Sequence, residues 1–207
     1  MDPKTSEESP WARFKSVALL LFGLLALMWA IELVDTLVGG RLDQFGIRPR
    51  RIDGLWGILF APFLHGGFAH LSANTVSLGL FGGMLMIRSR AEFFIVFVVT
   101  AIVGGLGVWL FGSLFTAGYA VHIGASGVIF GIFGYIVSMG LFERKVGSIV
   151  LSLFVAVAYG GTVMGVLPGQ EGISWESHLF GFLAGVGTAA VMGRRSRKKA
   201  ALAAELG

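Results

Sequence analysis

A serine and a histidine, each followed by regularly spaced glycines, are the residues in this sequence best placed to do chemistry together. Ser126 immediately precedes Gly127 in "GASGVIFG", and His178 lies three residues before Gly181 in "HLFGFLAG". A histidine within hydrogen-bond reach can act as general base for a serine hydroxyl, which is otherwise a weak nucleophile. The pair predicts nucleophilic chemistry by a Ser–His dyad, provided that the fold brings the two segments into contact.

The spacing of the glycines predicts that contact. They recur three and four residues apart on two segments: Gly127, Gly131 and Gly134 on the first, and Gly181 and Gly185 on the second. Small residues at this spacing form a smooth stripe and let two membrane helices approach closely. If the stripes pack together, Ser126 and His178 meet at one end of the contact. Phe130, one turn after Ser126, is then expected to pack its ring on His178.

A serine nucleophile also needs donors for the negative charge that develops on the attacked carbonyl oxygen. The amide of Ser126 lies at a predicted helix start, where backbone N–H groups are unpaired. In "HGGFAHLSAN", His70 and Asn74 are four apart and share a face, and both can donate. His65 is expected to donate from the rim of the site. The only acids near His178, Glu171 and Glu176, fall in a predicted loop, so a dyad is favoured over a triad.

The composition is that of a polytopic membrane protein. Of the 207 residues, 55% are hydrophobic and 14% are charged, and the mean hydropathy is +0.81. Residues 93–142 contain no Lys, Arg, Asp or Glu, and one crossing needs about 20 residues. We predict an all-α bundle of six transmembrane helices at residues 17–36, 68–87, 93–114, 124–142, 146–166 and 177–192.

Charge in the short loops predicts the orientation. The linkers "RSRAE" and "ERK" are basic, whereas residues 113–123 and 167–176 lack Lys and Arg, so the positive-inside rule places both termini in the cytoplasm. Residues 1–16 form a cytoplasmic segment, 17–192 the membrane domain and 193–207 a basic tail that anchors at anionic lipids. Residues 37–67 form an outer loop, although the arginines in its first half depart from the positive-inside rule. The apolar second half of this loop is expected to lie in the headgroup region. All four histidines then fall near the outer face.

These motifs resemble the signatures of the rhomboid family of intramembrane serine proteases. The resemblance covers all six spans and the first loop, and it departs from some members in reading "FGIRPR" in that loop and in having Phe130 where some relatives have Tyr. It implies Ser126 as nucleophile, His178 as base, and His70, Asn74 and the Ser126 amide as oxyanion donors. The supporting residues are His65, Gly124, Gly127, Phe130, Gly131, Gly181 and Gly185. It also implies cleavage of membrane-protein substrates in the lipid bilayer without a metal or cofactor.

Other functions are weighed against this interpretation. A rhomboid-like protein that binds transmembrane clients without cutting them is the main alternative, and the presence of both dyad residues argues against it. A channel would need polar residues along the mid-membrane depth, and the third and fifth spans offer few of them. No H-E-x-x-H pattern supports a metal site, and the +4 net charge comes largely from the tail "GRRSRKK", so no nucleic-acid partner is expected. Short loops favour a bacterial inner membrane. The sequence gives no oligomeric state.

Overall fold

The computed structural model is helical and describes residues 9–114, 120–169 and 173–206. Residues 1–8 of the predicted cytoplasmic segment, Glu171 and Gly207 lie outside this part. Within it the chain forms six long helices: α1 Pro10–Leu37, α2 Phe68–Arg88, α3 Arg90–Phe111, α4 Ser126–Glu143, α5 Val146–Val166 and α6 Trp175–Leu206. Each contains one of the predicted spans or most of it.

Five of the helices, α1 to α5, are long and apolar enough to cross a membrane. The sixth joins an apolar first half to a basic second half in one helix of 32 residues, so the count of six spans stays a prediction. Helix α1 begins at Pro10, earlier than the predicted span, because Ser9 caps it by accepting from the Ala12 amide at 3.2 Å and proline suits a first helical position. Likewise α6 continues well past Met192.

Helix α4 lies at the centre of the bundle and packs directly against α6. Most of its side chains are buried, including Ile132, Tyr135 and Ile136. A methyl group added at Gly181 would overlap the carbonyl oxygen of Gly127, and one added at Gly185 would overlap that of Gly131. The backbones of the two helices are therefore in contact along both glycine stripes, as the spacing predicts.

Helices α2 and α3 each contain a π-helical turn. The turns are Leu78–Gly82 and Thr100–Gly104. A π turn accommodates one extra residue and rotates the side chains that follow it. In α2 it separates the segment with His70 and Asn74 from the segment that buries Leu85 and Met86.

The first loop, residues 38–67, folds onto one end of the helix bundle. Ile47 pairs with His122 through two backbone hydrogen bonds of 2.9 Å. The Arg50 guanidinium donates to the Gly112 carbonyl at 2.7 Å, which gives the "FGIRPR" segment a defined packing partner. The second half, Ile52–Phe63, is a short apolar helical segment that leaves the side chains of Ile52 and Trp56 exposed.

A polar cluster joins the opposite ends of α2, α3, α4 and α5. Arg88 donates to both carboxylate oxygens of Glu143 at 2.7 Å and to Glu92 at 2.8 Å. Ser148 at the start of α5 also donates to Glu143, and Tyr135 donates to Glu92 at 3.2 Å. The Glu143 carboxylate is thus fully engaged within the bundle.

Candidate active site

Ser126 and His178 lie at the same end of the bundle and line one large cavity. Ser126 is the first residue of α4, and His178 lies in the first turn of α6. The cavity has a volume of about 1350 Å³, and His70 and Asn74 of α2 also line it. The structure therefore brings together all four side chains that the sequence selects for the dyad and the oxyanion donors.

The ring of His178 is held on two sides. Its Nδ1 lies 2.8 Å from the carbonyl oxygen of Gly165, and the Phe130 ring stacks on it with a centroid distance of 4.0 Å and an interplanar angle of 8°. Because a carbonyl can only accept, Nδ1 carries the hydrogen and Nε2 keeps its lone pair. The imidazole is thus fixed in the tautomer that a general base requires.

Within the described residues, no hydrogen bond of 3.5 Å or less links Ser126 to His178. Catalytic hydrogen bonds are often long in unliganded sites and shorten when substrate binds. The direct contact of α4 and α6 at Gly127, next to Ser126, and at Gly181, about one turn after His178, limits how far apart the pair can lie.

The position behind the histidine is occupied by a backbone carbonyl rather than by a carboxylate. Glu176 is buried, but its Oε1 accepts from the Ser113 amide at 3.2 Å, and Glu171 lies outside the described residues. The Gly165 carbonyl orients the ring in the place that an acid takes in a triad. This arrangement fits the predicted dyad.

Three donors converge on the backbone just before Ser126. Gly124 has φ +111°, and an added Cβ atom would lie 2.7 Å from Cε1 of His70 and 3.4 Å from Nδ2 of Asn74. Asn74 is buried, and its Nδ2 has no hydrogen-bond partner in the described part of the chain. The Ser126 amide, at the first position of α4, has no acceptor within the helix. A buried, unpaired amide donor at this place is suited to receive an oxyanion.

The prediction that His65 donates from the rim is wrong. His65 is 1% exposed, and its Nε2 accepts from the Ala125 amide at 3.4 Å. Burial, and then the neighbouring His70, lower the pKa of His65 to about 4. The ring is therefore neutral near pH 7 and supports the backbone of the nucleophile segment from inside the protein.

His122 links three segments around the site. One ring nitrogen lies 2.6 Å from the Ser174 hydroxyl and the other lies 3.1 Å from the Ser113 hydroxyl. Ser174 in turn contacts the Ser177 hydroxyl at 2.7 Å, next to His178. Burial lowers the pKa of His122. Its ring connects the segment just after α3 to the segment just before α6.

Sequence reasoning assigned no role to Gly165 or His122. Gly165 has no polar side chain, and its contribution is a carbonyl whose approach depends on the lack of a Cβ atom, because a methyl group there would lie 2.5 Å from the Phe130 ring. His122 lies four residues before Ser126, and this closeness to the predicted nucleophile is the signal that could have identified it. Among the described residues, no group of three His, Asp or Glu side chains is arranged to hold a metal ion.

Comparison with known proteins points to one family. The profile of the Rhomboid domain matches residues 53–195. The chain is 44% identical over 181 residues to "Uncharacterized protein Rv1337" of Mycobacterium tuberculosis, which covers 86% of this chain and 75% of that one. It is 30% identical over 187 residues to "Putative rhomboid protease YdcA" of Bacillus subtilis, and the match covers 88% of this chain and 91% of that protein. It is 26% identical over 190 residues to "Rhomboid protease GluP" of the same bacterium, and the match covers 87% of this chain and 34% of that protein.

Proposed function

The chain belongs to the rhomboid family, and from this premise we propose that it is an intramembrane serine endopeptidase. Its substrates are other membrane proteins, cut in or near their transmembrane segments. The observation that carries the proposal is the setting of His178, whose ring is fixed with Nε2 unprotonated beside the cavity that Ser126 and Asn74 line.

The proposed reaction proceeds in two stages. Nε2 of His178 takes the proton of Ser126 as Oγ attacks the scissile carbonyl, and the negative oxygen is received by Asn74, His70 and the Ser126 amide. The protonated histidine then gives its proton to the leaving amine, which leaves an acyl group on Ser126. Water, activated by the same histidine, releases that acyl group and restores the serine.

The cavity also supports a route for the substrate. It extends from Ser126 between α2 and α5, where Ser77 and Leu80 of α2 and Thr162 of α5 line it. Phe81 and Tyr159 meet between these helices with a ring centroid distance of 5.5 Å. An unwound segment of a substrate helix entering from this side reaches Ser126 near one membrane surface, where water is available.

The membrane placement forms part of the proposal. We infer six spans, with α6 as the last, both termini in the cytoplasm and the active site near the outer face of a bacterial inner membrane. The cationic linkers and the end of α6 then lie on the cytoplasmic side. The alternative, a client-binding protein without activity, is separated from the protease by the experiment that follows.

The test is cleavage of transmembrane substrates by the purified protein reconstituted in liposomes. We expect Ser126→Ala and His178→Ala each to abolish cleavage. The matched control is Ser138→Ala, since this buried serine of the same helix donates to the Gly134 carbonyl and lies away from the cavity. Cleavage that survives in Ser126→Ala would refute the mechanism. Failure of folded wild-type protein to cut several substrates that it binds would favour the client-binding function.

A further inference from the structure

Seven cations gather at the end of the bundle opposite the active site. We call them the basic cluster, which consists of Arg144, Lys145, Arg194, Arg195, Arg197, Lys198 and Lys199. Two come from the turn between α4 and α5, and five come from the part of α6 beyond the predicted membrane span. Because α6 continues as a helix to Leu206, the five are held in a fixed arrangement.

The two parts of the basic cluster are packed against each other. A Cβ atom added at Gly193 would lie 2.6 Å from Cβ of Phe142, so α6 touches the end of α4 there. One turn further on, the Lys145 ammonium donates to the Ser196 hydroxyl at 3.1 Å. The cations of the turn and those of α6 therefore form one surface.

Among the described residues, the basic cluster has no neutralising partner. In the described chain, none of its charged nitrogens lies within 4.0 Å of a carboxylate oxygen. Glu143, the acid nearest to it in sequence, is held by Arg88 on both oxygens. The Nε atom of Arg197 is buried yet has no hydrogen-bond partner among the described residues. Because Nε is enclosed, the two terminal nitrogens of this guanidinium are the donors that remain available to an anionic ligand.

We propose that the basic cluster binds the phosphate of an anionic phospholipid headgroup at the face of α6 that carries Arg194 and Arg197. These two residues are three apart and share that face, whereas Arg195 and Lys199, four apart, lie on another. Guanidinium groups bind phosphate oxygens through paired donors. The cluster begins where α4 ends, which is the level of the headgroups when the helices cross a bilayer. The proposal depends on this membrane placement and is independent of the protease reaction.

The experiment measures lipid binding by the full-length protein in a neutral detergent. Phosphatidylglycerol or phosphatidylcholine is titrated in, and bound lipid is counted by native mass spectrometry. A cation near the membrane surface strengthens binding of anionic lipid by about five-fold. We expect the double variant R194Q/R197Q to bind phosphatidylglycerol about 25-fold more weakly than wild type. At an ionic strength of about 0.15 M, cations that do not contact the phosphate are largely screened, so R195Q/K199Q, which removes the same charge from the same helix, is expected to weaken binding by less than about five-fold.

Several results would overturn the proposal. Equal weakening in the two double variants means that the protein has only a diffuse surface charge. Equal binding of phosphatidylcholine and phosphatidylglycerol by the wild type removes the role of the anionic headgroup, and this comparison stands even if a variant fails to fold. Competition by inorganic phosphate at the concentration of the lipid assigns the site to a soluble anion instead. Cleavage assays on the same samples report separately on the protease proposal.

Discussion

Replacing Gly181 by alanine tests whether backbone contact between α4 and α6 sets the distance from Ser126 to His178. The added methyl group would overlap the Gly127 carbonyl oxygen, because nothing else separates the two helices at that point. The Cβ atom would lie 2.0 Å from that oxygen, so the helices must part by about 1.4 Å near the site to restore an ordinary carbon–oxygen contact. A misplacement of about 1 Å can lower the rate of an enzymatic reaction about 100-fold.

We expect Gly181→Ala to lower kcat for cleavage of a reconstituted transmembrane substrate by about 100-fold. Overpacking in a close-packed core should also lower stability by about 1–3 kcal/mol, read as a fall in Tm. The matched control is Gly187→Ala on the same helix, where an added Cβ atom meets nothing within 4 Å. That variant gains the same helix propensity without any overlap and should keep wild-type activity.

Two results would contradict the proposed role of the backbone contact between α4 and α6. If Gly181→Ala cleaves as fast as Gly187→Ala and unfolds at the same temperature, the helices do not depend on their backbone contact. If both variants lose activity equally, the effect comes from alanine in α6 in general and not from the contact with Gly127.

Three further predictions concern the surroundings of the dyad. Asn74→Ala removes a donor to the oxyanion and should lower kcat about 100-fold with little change in KM; an effect confined to KM would assign Asn74 to substrate binding instead. His122→Ala should lower kcat and Tm, and His122→Gln, which can still link Ser113 to Ser174, should recover part of both; no recovery would contradict a positioning role. Because the pKa of His65 is held at about 4 in the fold and is higher in the unfolded chain, the unfolded chain binds more protons between these values, so Tm should fall as the pH is lowered from about 6.5 to about 4. In His65→Gln this fall should be shallower, and an unchanged slope would mean that His65 does not contribute to it.

The sequence predicts the helices and the helix contact at the site because each leaves a local signal. Long uncharged runs mark the spans, and the spacing of Gly127, Gly131, Gly181 and Gly185 marks the two faces that touch. The approach of Ser126 to His178 then follows from their place at the ends of those faces. The reach of α6 beyond Met192 was not predicted, because its basic residues end the apolar run without ending the helix.

The parts that sequence reasoning missed depend on long-range or backbone interactions. The pairing of Ile47 with His122 joins residues far apart in the chain, and the carbonyl of Gly165 has no side chain to identify it. The position of His65 in a loop predicts an exposed donor at the rim, whereas the fold covers this residue and turns its Nε2 toward the Ala125 amide. Apolar periodicity carries no information on any of these contacts.

The π-helical turn Leu78–Gly82 fixes the rotation between the two halves of α2. The half that carries His70 and Asn74 faces the cavity, and the half after the turn buries Leu85 and Met86 in the bundle. One residue corresponds to about 100° of rotation in an α-helix, so deletion of the extra residue would turn the face with His70 and Asn74 away from the cavity if the later half kept its core contacts. The length of this turn therefore determines where that face points, even when every core side chain stays the same.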